Sequence, residues 1–223
     1  MDERASPFGE PSGGKDEIFG ATYRLLHTDG YAALSIQRIA DEASLSKSTI
    51  YHHFESKDDL LLEFSQYLLT TYIDGLLATA DTDVLASVDA ILDLFFPYER
   101  PDGTRDHPLP NAVHRVYLEM RTQAVHDETY RTHFDAVDHM VRERIADVVR
   151  EGIDQGVFQP VDPDAVAGML YVCLEGTLLL SSTTDDHRWL AAVRAELERY
   201  LAGLVRTDGD GEGTATAGTD SLE

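Results

Sequence analysis

Between Leu34 and Leu60, in LSIQRIADEASLSKSTIYHHFESKDDL, three serines stand where a helix can begin: Ser35, Ser46 and Ser56. A serine hydroxyl just ahead of a helix accepts a hydrogen bond from a first-turn N–H that has no partner inside the helix. Three starts so close together require short, tightly turned helices. Leu34 and Ile39 flank Ser35, and Leu45 and Ile50 flank Ser46, at the spacing of a hydrophobic staple, while Asp59 follows Ser56 near the capping-box spacing. Only Ala43-Ser44-Leu45 separates the first two helices, room for a tight turn and nothing else, so the two must cross steeply as in a helix-turn-helix. Ile36, Ile39, Ala40, Ala43, Leu45, Ile50 and Phe54 make an inner face, and Gln37, Lys47, Ser48, Thr49, Tyr51, His52 and His53 are left outside. A short helix covered by hydrogen-bonding side chains can enter a major groove and meet base edges with its first turns.

The run Ile39-Ala40, Ala43, Leu45-Ser46, Thr49, Tyr51, His53-Phe54, Lys57 and Leu60, preceded by Gly30, resembles the signature of the TetR family of one-component transcriptional regulators. The resemblance implies an all-α protein, with an N-terminal three-helix helix-turn-helix DNA-binding domain and a C-terminal helical ligand-binding and dimerisation domain. By position it implies that Gln37, Lys47, Ser48, Thr49 and Tyr51 meet bases, with His52 beside them, and that Ser35, His53 and Lys57 hold phosphates. Phosphate contacts set register and base contacts specify. Tyr51 can act through its hydroxyl or by laying its ring on a thymine methyl. Ser44 departs from the pattern, because the family usually has glycine there in a left-handed turn; for a side chain that conformation costs roughly 1–2 kcal/mol.

The resemblance also implies a homodimer on a palindromic DNA operator and a cavity for a small, often apolar effector among the fourth to eighth helices. Candidate lining residues are Phe64, Tyr67, Phe95, Phe96, His114 and Tyr117, together with Met120, Arg121, His139, Met140, Tyr171 and Glu175. Aromatics and methionines at helical spacing are also what a plain core looks like, so His114, Arg121 and Glu175 are the informative members: a few placed polar groups orient a ligand in an apolar pocket.

Charge bears on the partner. A net charge of −23 argues, taken alone, against nucleic acid. Yet the acid is spread along the whole chain, and lysine is reduced to Lys15, Lys47 and Lys57, the other fifteen basic residues being arginine. Acid surplus with lysine depletion points to a protein living in molar salt, where a Debye length of about 3 Å screens an acidic body from DNA; an ordinary acidic protein is the bland alternative. Salt weakens the attraction too, with a slope of about −0.9 in log K against log salt for each neutralised phosphate. Base contacts, shape and dimerisation then have to carry affinity.

Along the chain, residues 1–14 read as a disordered arm, 15–60 as the DNA-binding domain, 61–205 as the ligand-binding and dimerisation domain and 206–223 as a solvated tail. Apolar spacing predicts helices from Lys15 to Asp29, from Ser35, from Ser46, from Ser56 to about Ala78 and from Val84 to Phe96. The proline-rich segment from Pro97 to Pro110 reads as irregular. Further helices run from Asn111 to about Val125, from Asp127 to about Gln155 before Gly156, from Asp164 to about Ser182 behind the Asp162-Pro163 start, and from Asp186 to Val205. The helix after Pro163 is apolar on nearly every side, and the last presents Trp189, Val193, Leu197, Tyr200, Leu201 and Leu204 as one seam, so the pair can form half of a four-helix bundle across a two-fold axis.

The remaining features narrow the class. Cys173 stands alone, which excludes an internal disulfide and a multi-cysteine zinc site. His133 and His139 point to different faces of a helix, so with Asp135 and Asp138 they are not expected to bind a metal. No signal peptide and no apolar run near the ~20 residues of a membrane span is expected, which reads as a soluble cytoplasmic protein. No nucleophile elbow, Walker loop, dinucleotide fingerprint or zinc-protease motif appears, so neither an enzyme nor a cofactor is expected. The alternative function is a helical interaction or DNA-architectural protein of the same fold without a ligand switch.

Overall fold

The computed structural model describes residues 13–80, 83–96, 98–99, 105–106, 111–186 and 188–205. The expected tail, most of the expected arm and most of the segment 97–110 lie outside these residues. In order come α1 (Gly14–Asp29), a 3-10 turn (Tyr31–Ala33), α2 (Ile36–Glu42), α3 (Lys47–His53), α4 (Lys57–Ala80), α5 (Val84–Phe95), β1 (Tyr98–Glu99), β2 (Arg105–Asp106), α6 (Asn111–Gln123), α7 (Glu128–Asp154), α8 (Pro163–Thr183) and α9 (Arg188–Ala202). The fold is all-α, an N-terminal helix-turn-helix followed by a helical body. The expectation of an irregular segment at 97–110 is corrected. The segment 97–110 does contain regular pairing, a two-residue antiparallel ladder of Tyr98 with Asp106 and Glu99 with Arg105. Its prolines, Pro97, Pro101, Pro108 and Pro110, flank the paired residues, so none removes a ladder donor.

The serine caps form as their spacing demands. The Arg38 N–H donates to Ser35 Oγ at 3.3 Å, Thr49 N–H to Ser46 Oγ at 3.1 Å and Asp59 N–H to Ser56 Oγ at 3.0 Å. The Asp59 carboxylate accepts in turn from Glu55 N–H at 2.9 Å, one residue ahead of the cap. Between α2 and α3, Leu45 N–H reaches Ala40 O at 2.9 Å and Ser44 N–H reaches Asp41 O at 3.2 Å, the paired bonds of a Schellman stop. That stop needs a left-handed residue, and Ser44 supplies it at φ +57°, the single non-glycine positive φ among the described residues.

Ile18, Phe19, Leu26, Ile39, Ile50 and Phe54 close the core of the three-helix head. Below it α4 continues without a break through Leu60 and Leu61, both buried, into a core that runs on through α5 to α8. The domain boundary placed at residue 60 therefore falls inside a helix. By length and composition α8 is apolar enough to cross a membrane, contrary to the expectation of no such run. One face of it packs on α5, α6 and α7 through Val166, Leu170, Tyr171, Leu174 and Leu178.

The seam expected on α9 splits in two. Leu190, Leu197 and Leu201 turn inward, while Trp189 and Tyr200 stay exposed. The outer face of α8 adds Met169, Leu179, Leu180 and Val172, the last 71% exposed. Arg194 ties α9 to Asp93 of α5 at 2.6 Å, and Gln159 N–H donates to Leu204 O at 2.7 Å beneath it. Phe158, in the α7–α8 link, is buried against Gly152, where an added Cβ would meet its ring at 2.2 Å.

Candidate DNA-reading surface and effector site

With Ile50 and Phe54 turned into the head core, the opposite face of α3 projects outward. Lys47, Ser48, Tyr51, His52 and His53 are exposed on it, Tyr51 by 55%, and Thr49 is half-buried. Ser46 does more than cap: its hydroxyl lies 2.7 Å from that of Ser48 and 2.8 Å from that of Thr49. The Ser48 and Thr49 hydroxyls are thus held together at the tip of the helix. On α2, exposed Ser35 caps and exposed Gln37 donates its amide to Asp41 at 2.6 Å, leaving the Gln37 amide oxygen to accept. Among the described residues Lys47 has no ion-pair partner, whereas Arg24 is paired with Glu42 and Arg38 with Asp29. Lys47 is therefore the uncommitted cation of α3. His53 lies beside the start of α1, its Nε2 at 3.3 Å from where a Gly14 Cβ would stand. Lys57 is half-buried, with its ammonium 4.5 Å above the Tyr31 ring.

The candidate effector residues separate into groups. Phe64 and Tyr67 belong to the junction of head and body, with ring centroids 5.8 and 4.9 Å from Phe19 of α1. Phe96, His114 and Met120 are buried in the body, Met140 packs at its edge and His139 is exposed. The side chain of Phe95 lies outside the described residues. Tyr117, Arg121, Tyr171 and Glu175 come together, from α6 and α8, around one residue of α7, Asp138. Arg121 donates through both terminal nitrogens to Asp138, at 2.8 and 2.9 Å, and its Nε faces Glu175 at 3.3 Å. Tyr117 donates to Glu175 at 2.9 Å and Tyr171 to Asp138 at 2.6 Å. The Arg121 guanidinium also lies 5.1 Å from the Phe134 ring, which meets Tyr117 edge-on at 5.4 Å.

One guanidinium thus serves two carboxylates, an arrangement with one surplus negative charge. Burial raises the Glu175 pKa against the opposing pull of Arg121. Burial likewise raises both phenols, so Tyr117 and Tyr171 stay protonated and donate. For Arg121, burial opposes the charge, and the Asp138 hydrogen bonds together with the electrostatic pull of Tyr117, Glu175 and Tyr171 override it. The arrangement can hold a polar group of a ligand among aromatic rings by exchanging one of these internal bonds.

Comparison with known proteins decides the family. Residues 18–64 match the family described as bacterial regulatory proteins, tetR family, and residues 84–206 match the BetI-type transcriptional repressor, C-terminal family. A TetR transcription regulator of known structure from Haloarcula marismortui is 32% identical, with a TM-score of 0.66 over 86% of this chain and 98% of that one. The chain belongs to the TetR family. A regulator from Saccharomonospora viridis, solved in complex with choline, shares the fold at 24% identity and TM-score 0.63, over 87% and 98% of the two chains. The helix-turn-helix regulator YfiR of Bacillus subtilis is 25% identical over 195 residues, 86% of this chain and 92% of its own.

For a TetR-family regulator, the head is where the family resemblance places the candidate reading residues: α3 presents Lys47, Ser48, Thr49, Tyr51, His52 and His53 together, while Ser35 and Gln37 stand at α2 and Lys57 begins α4. What reasoning on the sequence missed lies in the body: Asp138, the hub of the polar cluster, and Phe134, the ring under Arg121. In the sequence Asp138 stands out only beside His133 and His139, where no metal is expected. Its true partners sit 17 and 33 residues away in sequence, on two other helices. Tyr171 and Arg121 lie 50 residues apart in the sequence, and no local pattern says that they share a carboxylate.

Proposed function

We propose that the protein is a homodimeric transcriptional repressor that binds a palindromic operator in the cytoplasm and is released from it by a small, largely apolar effector. The observation that carries the DNA reading is the outward face of α3, where uncommitted Lys47, the paired Ser48 and Thr49 hydroxyls and the Tyr51 ring stand together above a buried Ile50 and Phe54. In this reading Gln37, Lys47, Ser48, Thr49, Tyr51 and His52 face bases, and Ser35, His53 and Lys57 hold phosphates. Dimerisation is supported by the apolar side chains that α8 and α9 leave exposed, Val172, Leu179 and Leu180 with Trp189 and Tyr200. A two-fold pairing of these helices would cover them.

The effector site is the Arg121–Asp138–Glu175 cluster with Tyr117, Phe134 and Tyr171. A ligand there repacks the body against α4 and tilts it, so that two reading heads no longer match half-sites about 34–36 Å apart. A coupling of about 1–3 kcal/mol is enough for such a switch. The charge of −23 with three lysines, all in the head, supports operation at high salt.

The test is selection of genomic DNA fragments by the purified protein in molar KCl, beside Tyr51→Ala and Lys47→Ala. A shared palindrome enriched by wild type and lost or relaxed in the variants is the expected result. Sequence-indifferent capture would replace the repressor with a DNA-architectural protein, and a folded, dimeric protein that enriches nothing would remove the DNA reading. Val172→Glu, measured by sedimentation, should yield monomers; an unchanged dimer would place the interface elsewhere.

A further inference from the structure

Three cations of the head are neutralised by carboxylates: Lys15 by Glu63, Arg24 by Glu42 and Arg38 by Asp29. Lys57 is held differently. Among the described residues it makes no ion pair, and its ammonium lies 4.5 Å from the centre of the Tyr31 ring. A ring face within about 6 Å attracts a cation through its quadrupole and leaves the charge in place, where a carboxylate would cancel it. The Asp59 carboxylate, two residues on, is engaged elsewhere and accepts the Glu55 N–H at 2.9 Å. Lys15 also lies over rings, those of Phe19 and Phe54 at 5.8 and 5.4 Å, but with Glu63 upon it. A lysine fixed by a ring and still unneutralised is therefore particular to the start of α4.

The ring itself is held from the other side. Tyr31 opens the 3-10 turn behind Gly30, whose φ of +73° turns the chain out of α1. Leu34 N–H donates to Tyr31 O at 3.0 Å, and Arg38 of α2 donates to Ala33 O at 3.2 Å. The turn also packs on α6, and Tyr31 lies half-buried against the core. Its place is thus set by α1, α2 and α6, none of which carries Lys57. A lysine ammonium rides on a flexible four-carbon stem, which has to be ordered before it can meet a phosphate. A ring that orders the stem in advance removes part of that cost from binding.

We infer that Tyr31 is a positioning residue for DNA recognition: its ring, fixed by α1, α2 and α6, holds the Lys57 ammonium in place with its charge intact for a backbone phosphate of the operator. This rests on the proposed regulator reading, which gives Lys57 a phosphate. The requirement is for a ring at position 31, not for the phenol hydroxyl.

The full-length protein is tested as wild type, as Tyr31→Phe, which keeps the ring, and as Tyr31→Leu, which removes it, each with Lys57 and with Lys57→Gln. Affinity for the palindrome recovered by fragment selection is measured across a series of KCl concentrations. Tyr31→Leu should weaken binding at least about fivefold and flatten the salt dependence towards that of Lys57→Gln, each lost phosphate contact taking about 0.9 from the slope of log K against log salt. Tyr31→Phe should stay within about twofold of wild type, and Tyr31→Leu should cost less than about twofold once Lys57 is gone. Equal losses with and without Lys57, an unchanged salt slope, or a Phe variant as weak as the Leu variant would overturn the role. A tyrosine that only supports the head would give the first two of these results and a lower melting temperature.

A measurement without DNA stands beside the cycle. Lys15, Lys47 and Lys57 are the lysines of the chain, so reductive methylation with isotope-labelled formaldehyde, which keeps their charge, gives three lysine signals by NMR. That of Lys57, assigned with Lys57→Arg, should be shifted upfield by the ring current in wild type and Tyr31→Phe, and should lose the shift in Tyr31→Leu. No upfield shift in wild type would overturn the placement of the ammonium. A palindrome with an additive cycle removes Tyr31 and keeps the regulator, whereas no palindrome from wild type removes the regulator and the roles of Lys57 and Tyr31 with it.

Discussion

The reading head and the body of this protein are held together by different means. In the head each short helix is closed by a serine three residues from the N–H it caps, and the turn between α2 and α3 is made by bonds within a six-residue span. In the body the defining polar bonds join residues 17, 33 and 58 apart in sequence. Charge divides the same way. Residues 14–60 hold five basic and eight acidic side chains, so the head carries −3 of the −23 and the rest of the chain −20. A locally determined head can keep its shape while the body beneath it changes; a body built from long-range contacts can rearrange as a whole when one of them is exchanged.

Substitutions should expose that contrast. The largest loss is expected in the body, at Phe158→Ala, where emptying the space over Gly152 should destabilise by about 3–5 kcal/mol in chemical denaturation. A loss under 1 kcal/mol would mean that the link between α7 and α8 packs loosely. Next comes the fate of an arginine in each region. Arg121→Ala strands two carboxylates that are 24% and 18% exposed and should cost about 2–4 kcal/mol, whereas Arg24→Ala, from a pair more than a third exposed on the head, should cost less than about 1 kcal/mol. Equal losses would erase the distinction.

How far the molecule could be read in advance follows from the same contrast. Ser35, Ser46, Ser56 and Gly30 announce their helix ends because the partner of each lies within a few residues. The left-handed turn at Ser44 was legible through the family resemblance, against the residue's own preference. Asp138 was not legible as a hub, because an acidic residue on a charged helix looks like any other until α6 and α8 are folded against it. Trp189 and Leu197 looked like one stripe on α9; burial separates them, since only one side of that helix meets the body. The β1–β2 ladder was hidden by prolines that border it without entering it.

Smaller effects sharpen the picture of the head. Ser46→Ala removes a cap and should lower stability by about 1 kcal/mol, with faster amide exchange confined to α3. Ser44→Gly should do the reverse and stabilise by roughly 1 kcal/mol, since glycine takes φ +57° without the steric penalty of a side chain; thermal denaturation would show it. The smallest expected effect is at the junction. Burial lowers the His133 pKa below its ordinary 6.5, against the pull of Glu63, and its Nε2 has no hydrogen-bond partner among the described residues. The folded protein therefore binds that proton less readily than the unfolded chain, so this contribution to stability is present above about pH 6.5 and is lost as pH falls through the folded value. His133→Gln should flatten the stability profile in that window, and an unchanged slope would assign it to other groups.

The unbroken passage of α4 from head to body has a geometric consequence. Its 24 residues make a rod of about 36 Å at 1.5 Å per residue. Pivoted at the lower end, such a rod needs only about 5° of rotation to carry its upper end about 3 Å, close to the 3.4 Å rise of one base pair. In the two-fold dimer proposed above the displacements would add, to about 6 Å between the two heads. Because α4 is continuous, an angular change at its lower end is converted into a linear displacement of the head.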